Sequence, residues 1–170
     1  MRKTIYALAI TLFVLANSQN TYAQSIGLKT LPKLTFKNLD NKKVDLDQSI
    51  KENQLTVVSF WATWCGPCLQ ELSAVSDLYE DWKEDYGVEF LAVSTDNSRN
   101  LTKVKAMANG KDWPFPVLTD PEGTAQSKLN FPAVPFMLIV NQKGEVLYKH
   151  NGYAPGFEEE LEEKIKSFAL

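Results

Sequence analysis

Residues 55–72 read LTVVSFWATWCGPCLQEL. Leu55 to Ala62 is β-branched and aromatic without alternation, the composition of a strand covered on both faces. From Cys65 to about Asp85 the period changes. Cys68, Leu72, Val75, Leu78, Tyr79 and Trp82 recur three and four apart, which is one face of a long helix. Glu71, Asp77, Glu80, Asp81 and Glu84 are assigned to the remaining faces and read as solvated. Trp64-Cys65-Gly66-Pro67-Cys68 therefore falls where a buried strand turns into a helix.

The flanking sequence repeats the alternation. Val88 to Ser94 is a second buried strand. Asn100 to Asn109 carries Leu101, Val104, Met107 and Ala108 at helical spacing and should stop at Asn109-Gly110. Pro114 and Pro116 bracket a short extended piece, and Thr124 to Leu129 suits a brief helix. Phe136 to Val140 is a third buried strand, turned at 141–144 into Glu145 to His150. Gly152 and Gly156 precede a terminal helix, Phe157 to Phe168. Upstream, residues 24–33 form an extended lead-in, and Leu34 to Asn38 and Lys43 to Leu46 flank Asp40-Asn41 as a hairpin. Strands alternating with helices and ending in a hairpin predict an α/β fold, a mixed central sheet with helices on both faces.

Met1-Arg2-Lys3, an apolar run from Ile5 to Ala16 and a polar stretch closing on Thr21-Tyr22-Ala23 have the three-part layout of a secretory signal. The run is about 12 residues, against about 20 for a membrane span. Residues 1–23 are thus expected to be a leader and 24–170 one domain, periplasmic or secreted. The chain would be membrane-anchored if the leader stays uncleaved. Losing Arg2 and Lys3 makes the net charge of −3 more negative still. That balance argues against nucleic acid as a partner. Two cysteines and one histidine exclude a disulfide-stapled scaffold and a Cys/His zinc cluster within one chain.

The chemistry rests on Cys65 and Cys68. Three residues apart in a first helical turn, they are neighbours at a separation compatible with a disulfide. Cys65 lies at the helix start, where unpaired N–H groups and the macrodipole favour negative charge and should lower its pKa below about 8.5. Cys68, one turn on, faces the core and should remain a thiol. Pro67 lacks an N–H, which costs nothing there. A reversible dithiol–disulfide pair follows; a metal half-site and an inert structural disulfide are the alternatives that the spacing alone leaves open.

FWATWCGPC, within residues 55–72, resembles the active-site segment of thioredoxin-fold proteins, and the TlpA/ResA-like branch fits best over roughly residues 30–168. That branch has an N-terminal hairpin and an inserted helix-containing segment, here about 95–130. The resemblance implies a thiol-disulfide oxidoreductase that uses Cys65 and Cys68 as a redox-active disulfide and needs no cofactor. It also implies a cis proline facing the pair. Pro135 matches that position, with Val134 offering its main chain to an extended protein substrate. Of the aromatic residues near the site, Trp64 is the one expected to be a partly exposed contact, and Phe60, Trp61 and Phe136 are expected mostly in the core. Protein disulfides and an upstream membrane electron donor are the implied partners, and a monomer the expected state. The potential implied is near the reducing end, about −270 mV.

Several positions depart from or qualify the pattern. Ser59 stands where many thioredoxins have a buried acid, so another group or water must accept the Cys68 proton. Ser73 replaces a proline that kinks the helix in many relatives. Phe136 replaces a threonine after the cis proline and is expected to reshape the groove. Gly152 matches a glycine that leaves room for a bound peptide, and Glu71 has an acidic counterpart in many relatives. A peroxiredoxin-like peroxidase is one competing function. It would want Thr three residues before the reactive cysteine and a nearby Arg, whereas Thr63 is two before and Arg99 is the one arginine outside the leader. A copper-binding module of this fold is the other, and the C-x-x-C spacing is one residue short for it.

Overall fold

The computed structural model describes residues 29–169. The leader expectation, residues 1–23, lies outside them. The described chain forms a seven-stranded sheet in the order β2-β1-β5-β4-β3-β6-β7. Its strands are β1 (Thr35–Asn38), β2 (Lys43–Asp45), β3 (Leu55–Trp61), β4 (Val88–Ser94), β5 (Val117–Thr119), β6 (Phe136–Asn141) and β7 (Val146–Asn151). β3, β4 and β5 run parallel, while β1, β2, β6 and β7 add antiparallel strands at the two edges. The expected mixed sheet is observed.

Five α-helices accompany it: α1 (Leu46–Glu52), α2 (Gly66–Tyr86), α3 (Leu101–Lys111), α4 (Thr124–Leu129) and α5 (Phe157–Ala169), with a 3-10 turn at Ser98–Asn100. β3 is buried at every residue because both faces are covered. By the twofold period of a strand, Leu55, Val57, Ser59 and Trp61 share one face, and Thr56, Val58 and Phe60 the other. Leu55, Val57 and Trp61 join Leu72, Val75 and Tyr79 of α2 and Leu161 and Ile165 of α5 in one core. Val58 and Phe60 join Phe36, Leu46, Ile50 and Leu138 in a second. No described helix is long and apolar enough to cross a membrane.

Some boundaries moved. The helix expected to stop at Asn109-Gly110 continues to Lys111, because Asp112 takes the left-handed cap (φ 51°). That conformation is tolerated by Asp as well as by glycine. α1 was not anticipated. It has seven residues, only Leu46 and Ile50 buried, and so almost no period to read. α2 ends at Tyr86 and is capped by Gly87, whose φ of 61° suits a residue without a Cβ.

Candidate active site

The turn from β3 into α2 brings the two cysteines together. Cys65 is the N-cap of α2, with extended backbone (φ −92°, ψ 97°), and its Sγ accepts a hydrogen bond from the Cys68 N–H at 3.3 Å. Pro67 sits in the first turn. Sγ of Cys65 and Sγ of Cys68 are joined at 2.02 Å, with Cα atoms 5.3 Å apart. Cys65 is 5% exposed and Cys68 fully buried. Both are buried in the core beneath α2, and they differ in position: Cys65 caps the helix and Cys68 lies within its first turn. Trp64, next to Cys65, is 70% exposed, the one large hydrophobic side chain so exposed among the described residues.

The turn is tightly held. The Cys65 N–H donates to Ala62 O (3.0 Å). The Thr63 N–H donates to Asp96 Oδ2 (2.7 Å) and the Thr63 hydroxyl to Asp96 Oδ1 (2.9 Å). Thr95 N–H donates to Trp61 O (2.8 Å), continuing the Trp61–Ser94 register of the β3–β4 ladder.

Val134 and Pro135 precede β6, and their peptide bond is cis. Pro135 O accepts from the Gly152 N–H (2.8 Å), and Val134 is half-buried against both cores. Gly152 has φ 85°, and a Cβ there would meet nothing within 4 Å. Phe136, which follows the cis proline, is a core residue. Its ring stacks on Phe131 (4.7 Å) and Phe60 (6.0 Å), so its bulk is spent inside the fold. His150 stacks on Phe157 (3.8 Å), and its Nδ1 lies 3.3 Å from the Tyr148 hydroxyl.

The principal correction concerns Glu71. Read as solvated, it is 1% exposed. The Ser59 hydroxyl donates to its Oε1 at 2.6 Å, and its Oε2 is buried without a hydrogen-bond partner. Burial raises its pKa to about 7, and the Ser59 hydrogen bond offsets part of that rise. The signal was available in the spacing. Position 71 is three after Cys68 and next to Leu72, inside the apolar face. The carboxyl missing from position 59 is supplied from the helix, and Ser59 is its partner.

The family model described as the AhpC/TSA family matches residues 28–149 of the chain. Thioredoxin-like protein YneN of Bacillus subtilis (strain 168) is 29% identical over 154 residues, covering 88% of this chain and 86% of that protein. Thiol-disulfide oxidoreductase ResA of Bacillus thuringiensis subsp. konkukian (strain 97-27) is 29% identical over 138 residues, 81% of this chain and 76% of that one. A solved structure of a thioredoxin-like protein from Porphyromonas gingivalis superposes with a TM-score of 0.69 at 36% identity, covering 88% of this chain and 94% of the other. The resemblance of residues 55–72 to thioredoxin-fold oxidoreductases therefore extends over most of the chain.

Proposed function

The chain belongs to the AhpC/TSA family and is a protein-disulfide oxidoreductase, and we propose that it is exported and reduces disulfides of protein substrates through Cys65 and Cys68. The observation that carries this is the pairing of two unlike sulfurs: Cys65 at a helix N-cap and Cys68 buried one turn on, bonded to each other.

In the dithiol form the Cys65 thiolate is favoured by the N–H groups and dipole of the α2 N-terminus. It attacks one sulfur of a substrate disulfide, forming a mixed disulfide and expelling the other substrate sulfur as a thiolate, which takes a proton from solvent. Cys68 then attacks Cys65 Sγ. The Cys65–Cys68 bond forms, the second substrate thiol leaves, and two electrons have passed to the substrate. Glu71 is the proton acceptor for Cys68 in that step. It lies three residues on along the same buried helix face, and its pKa of about 7 suits proton exchange near neutrality.

Trp64, Val134 and Pro135 form the substrate platform in this reading. Trp64 supplies exposed apolar surface, and Val134 supplies main chain lying just outside the β6 ladder, which begins at Phe136. The leader-like residues 1–23 support a periplasmic or secreted site of action. A membrane dithiol donor would restore the reduced pair, and the chain works as a monomer. Reduction of peroxide is disfavoured because the Thr63 hydroxyl is engaged by Asp96 and is not offered to Cys65. Insulin reduction by the purified domain, supplied with dithiothreitol, tests the assignment: Cys65→Ala should abolish it, and retained turnover would overturn it.

A further inference from the structure

We infer that Asp96 is a positioning residue for Cys65, acting through Thr63 to hold the β3–α2 turn so that the sulfur sits at the helix mouth. Asp96 is 2% exposed and Ser94 fully buried. Three hydrogen bonds converge on the carboxyl of Asp96: Thr63 N–H (2.7 Å), Thr63 hydroxyl (2.9 Å) and Ser94 hydroxyl (2.9 Å). The Ser94 Oγ in turn accepts from the Asp96 N–H (3.1 Å). Among the described residues no lysine or arginine pairs with it. Burying a carboxyl is costly unless its oxygens are hydrogen-bonded, and here two of the three donors belong to a single residue of the turn.

The geometry gives this a function. Thr63 sits inside the Ala62–Cys65 turn, whose closing bond is Cys65 N–H to Ala62 O. Fixing both the N–H and the hydroxyl of Thr63 to the end of β4 sets the direction in which the chain enters α2. It thereby places Cys65 where the Cys68 N–H reaches its sulfur. If the turn slackens, the thiolate loses that donor and part of the helix-end field, and its pKa drifts toward that of a free cysteine. A thiol at about 7 is roughly half ionised at neutral pH, whereas one near 8.5 is only about 3% ionised.

The inference rests on Cys65 being the attacking sulfur, and its test reads that sulfur directly, independent of any substrate. Reduced full-length protein is alkylated with iodoacetamide across pH 5–9, the labelled cysteine being identified by mass spectrometry, and urea unfolding is recorded alongside. Asp96→Ala should raise the Cys65 titration midpoint and slow alkylation at pH 7 by about 5- to 10-fold. Asp96→Asn should rescue, because its Oδ1 can accept from Thr63 N–H and Ser94 while its Nδ2 donates to the Thr63 hydroxyl. Should Asp96→Ala fail to fold, Thr63→Ala, which deletes only the hydroxyl bond, should still slow alkylation by about 2- to 3-fold. Asp96→Ala that folds with an unmoved midpoint, Asp96→Asn as impaired as Asp96→Ala, or Thr63→Ala alkylating at the wild-type rate would each overturn the inference. Failure of insulin reduction by the wild type, with these midpoints moving as expected, would instead count against the proposed function alone.

Discussion

Glu71→Gln should stabilise the oxidised protein, by an amount that grows as pH rises from about 4.5 through about 7 and then levels off. Glu71 has an ordinary pKa of 4.5 and a folded value of about 7, raised by burial. Below both values the group is protonated in folded and unfolded chains and adds nothing to the pH dependence. Between them the unfolded chain has released a proton that the folded chain retains, so stability falls as pH rises. Above both, the folded state carries a buried charge at a cost of about 3 kcal/mol. Glutamine keeps the volume and an Oε1 that accepts from Ser59, and it does not ionise. The two proteins should therefore unfold alike near pH 4.5 and diverge by about 3 kcal/mol at pH 8.5. That corresponds to about 1.5 M in urea midpoint, for a slope of about 2 kcal/mol/M. The oxidised form is the one to use, since its cysteines do not titrate, and the difference between the two proteins cancels the contributions of all other groups. The same variant should slow the Cys68 step in turnover, a stability gain at the expense of activity. A stability difference that stays constant from pH 4.5 to 8.5 would refute the reasoning, because it would mean that Glu71 titrates normally.

Three further outcomes follow from the same geometry. Ser59→Ala removes the hydrogen bond that holds the Glu71 pKa down, so the loss of stability, which still begins near the unfolded value of 4.5, should continue to higher pH and grow larger; urea midpoints across pH 5–9 check the direction. Phe136→Ala empties a site stacked between Phe60 and Phe131 and should cost about 3–5 kcal/mol, read by the same unfolding assay. Trp64→Ala deletes an exposed ring and should change stability by no more than about 0.5 kcal/mol, while raising KM for insulin measurably.

The parts of this molecule that were legible in its sequence are those whose pattern is local. β3, β4, the N-terminal hairpin and α2 each carry a period or a run that names them, and the cysteine spacing sits at a junction those patterns define. What was not legible is settled by contacts across the sheet. In β6, Phe136, Leu138 and Val140 face one core while Met137 and Ile139 face the other. Both sides are apolar, so alternation could not say which way Phe136 pointed, and only the Phe60–Phe131 stack decides it. Glu71 was misplaced because its charge outweighed its position, and its partner Ser59 lies 12 residues away on another element. Asp96 had no local signal at all, since its contact with Thr63 spans 33 residues. These contacts have a common origin in β3. Ser59, on the helix-facing side of the strand, holds the carboxyl next to Cys68. Thr63, two residues past the strand's end, is held by Asp96 in the turn that carries Cys65. One strand, in register with β4 from Leu55–Val88 to Trp61–Ser94, therefore sets the environment of each sulfur separately. A shift of that register by one residue would turn Ser59 away from Glu71 and move Ser94 out of reach of the turn, so the asymmetry of the pair depends on strand pairing as much as on the motif that contains it.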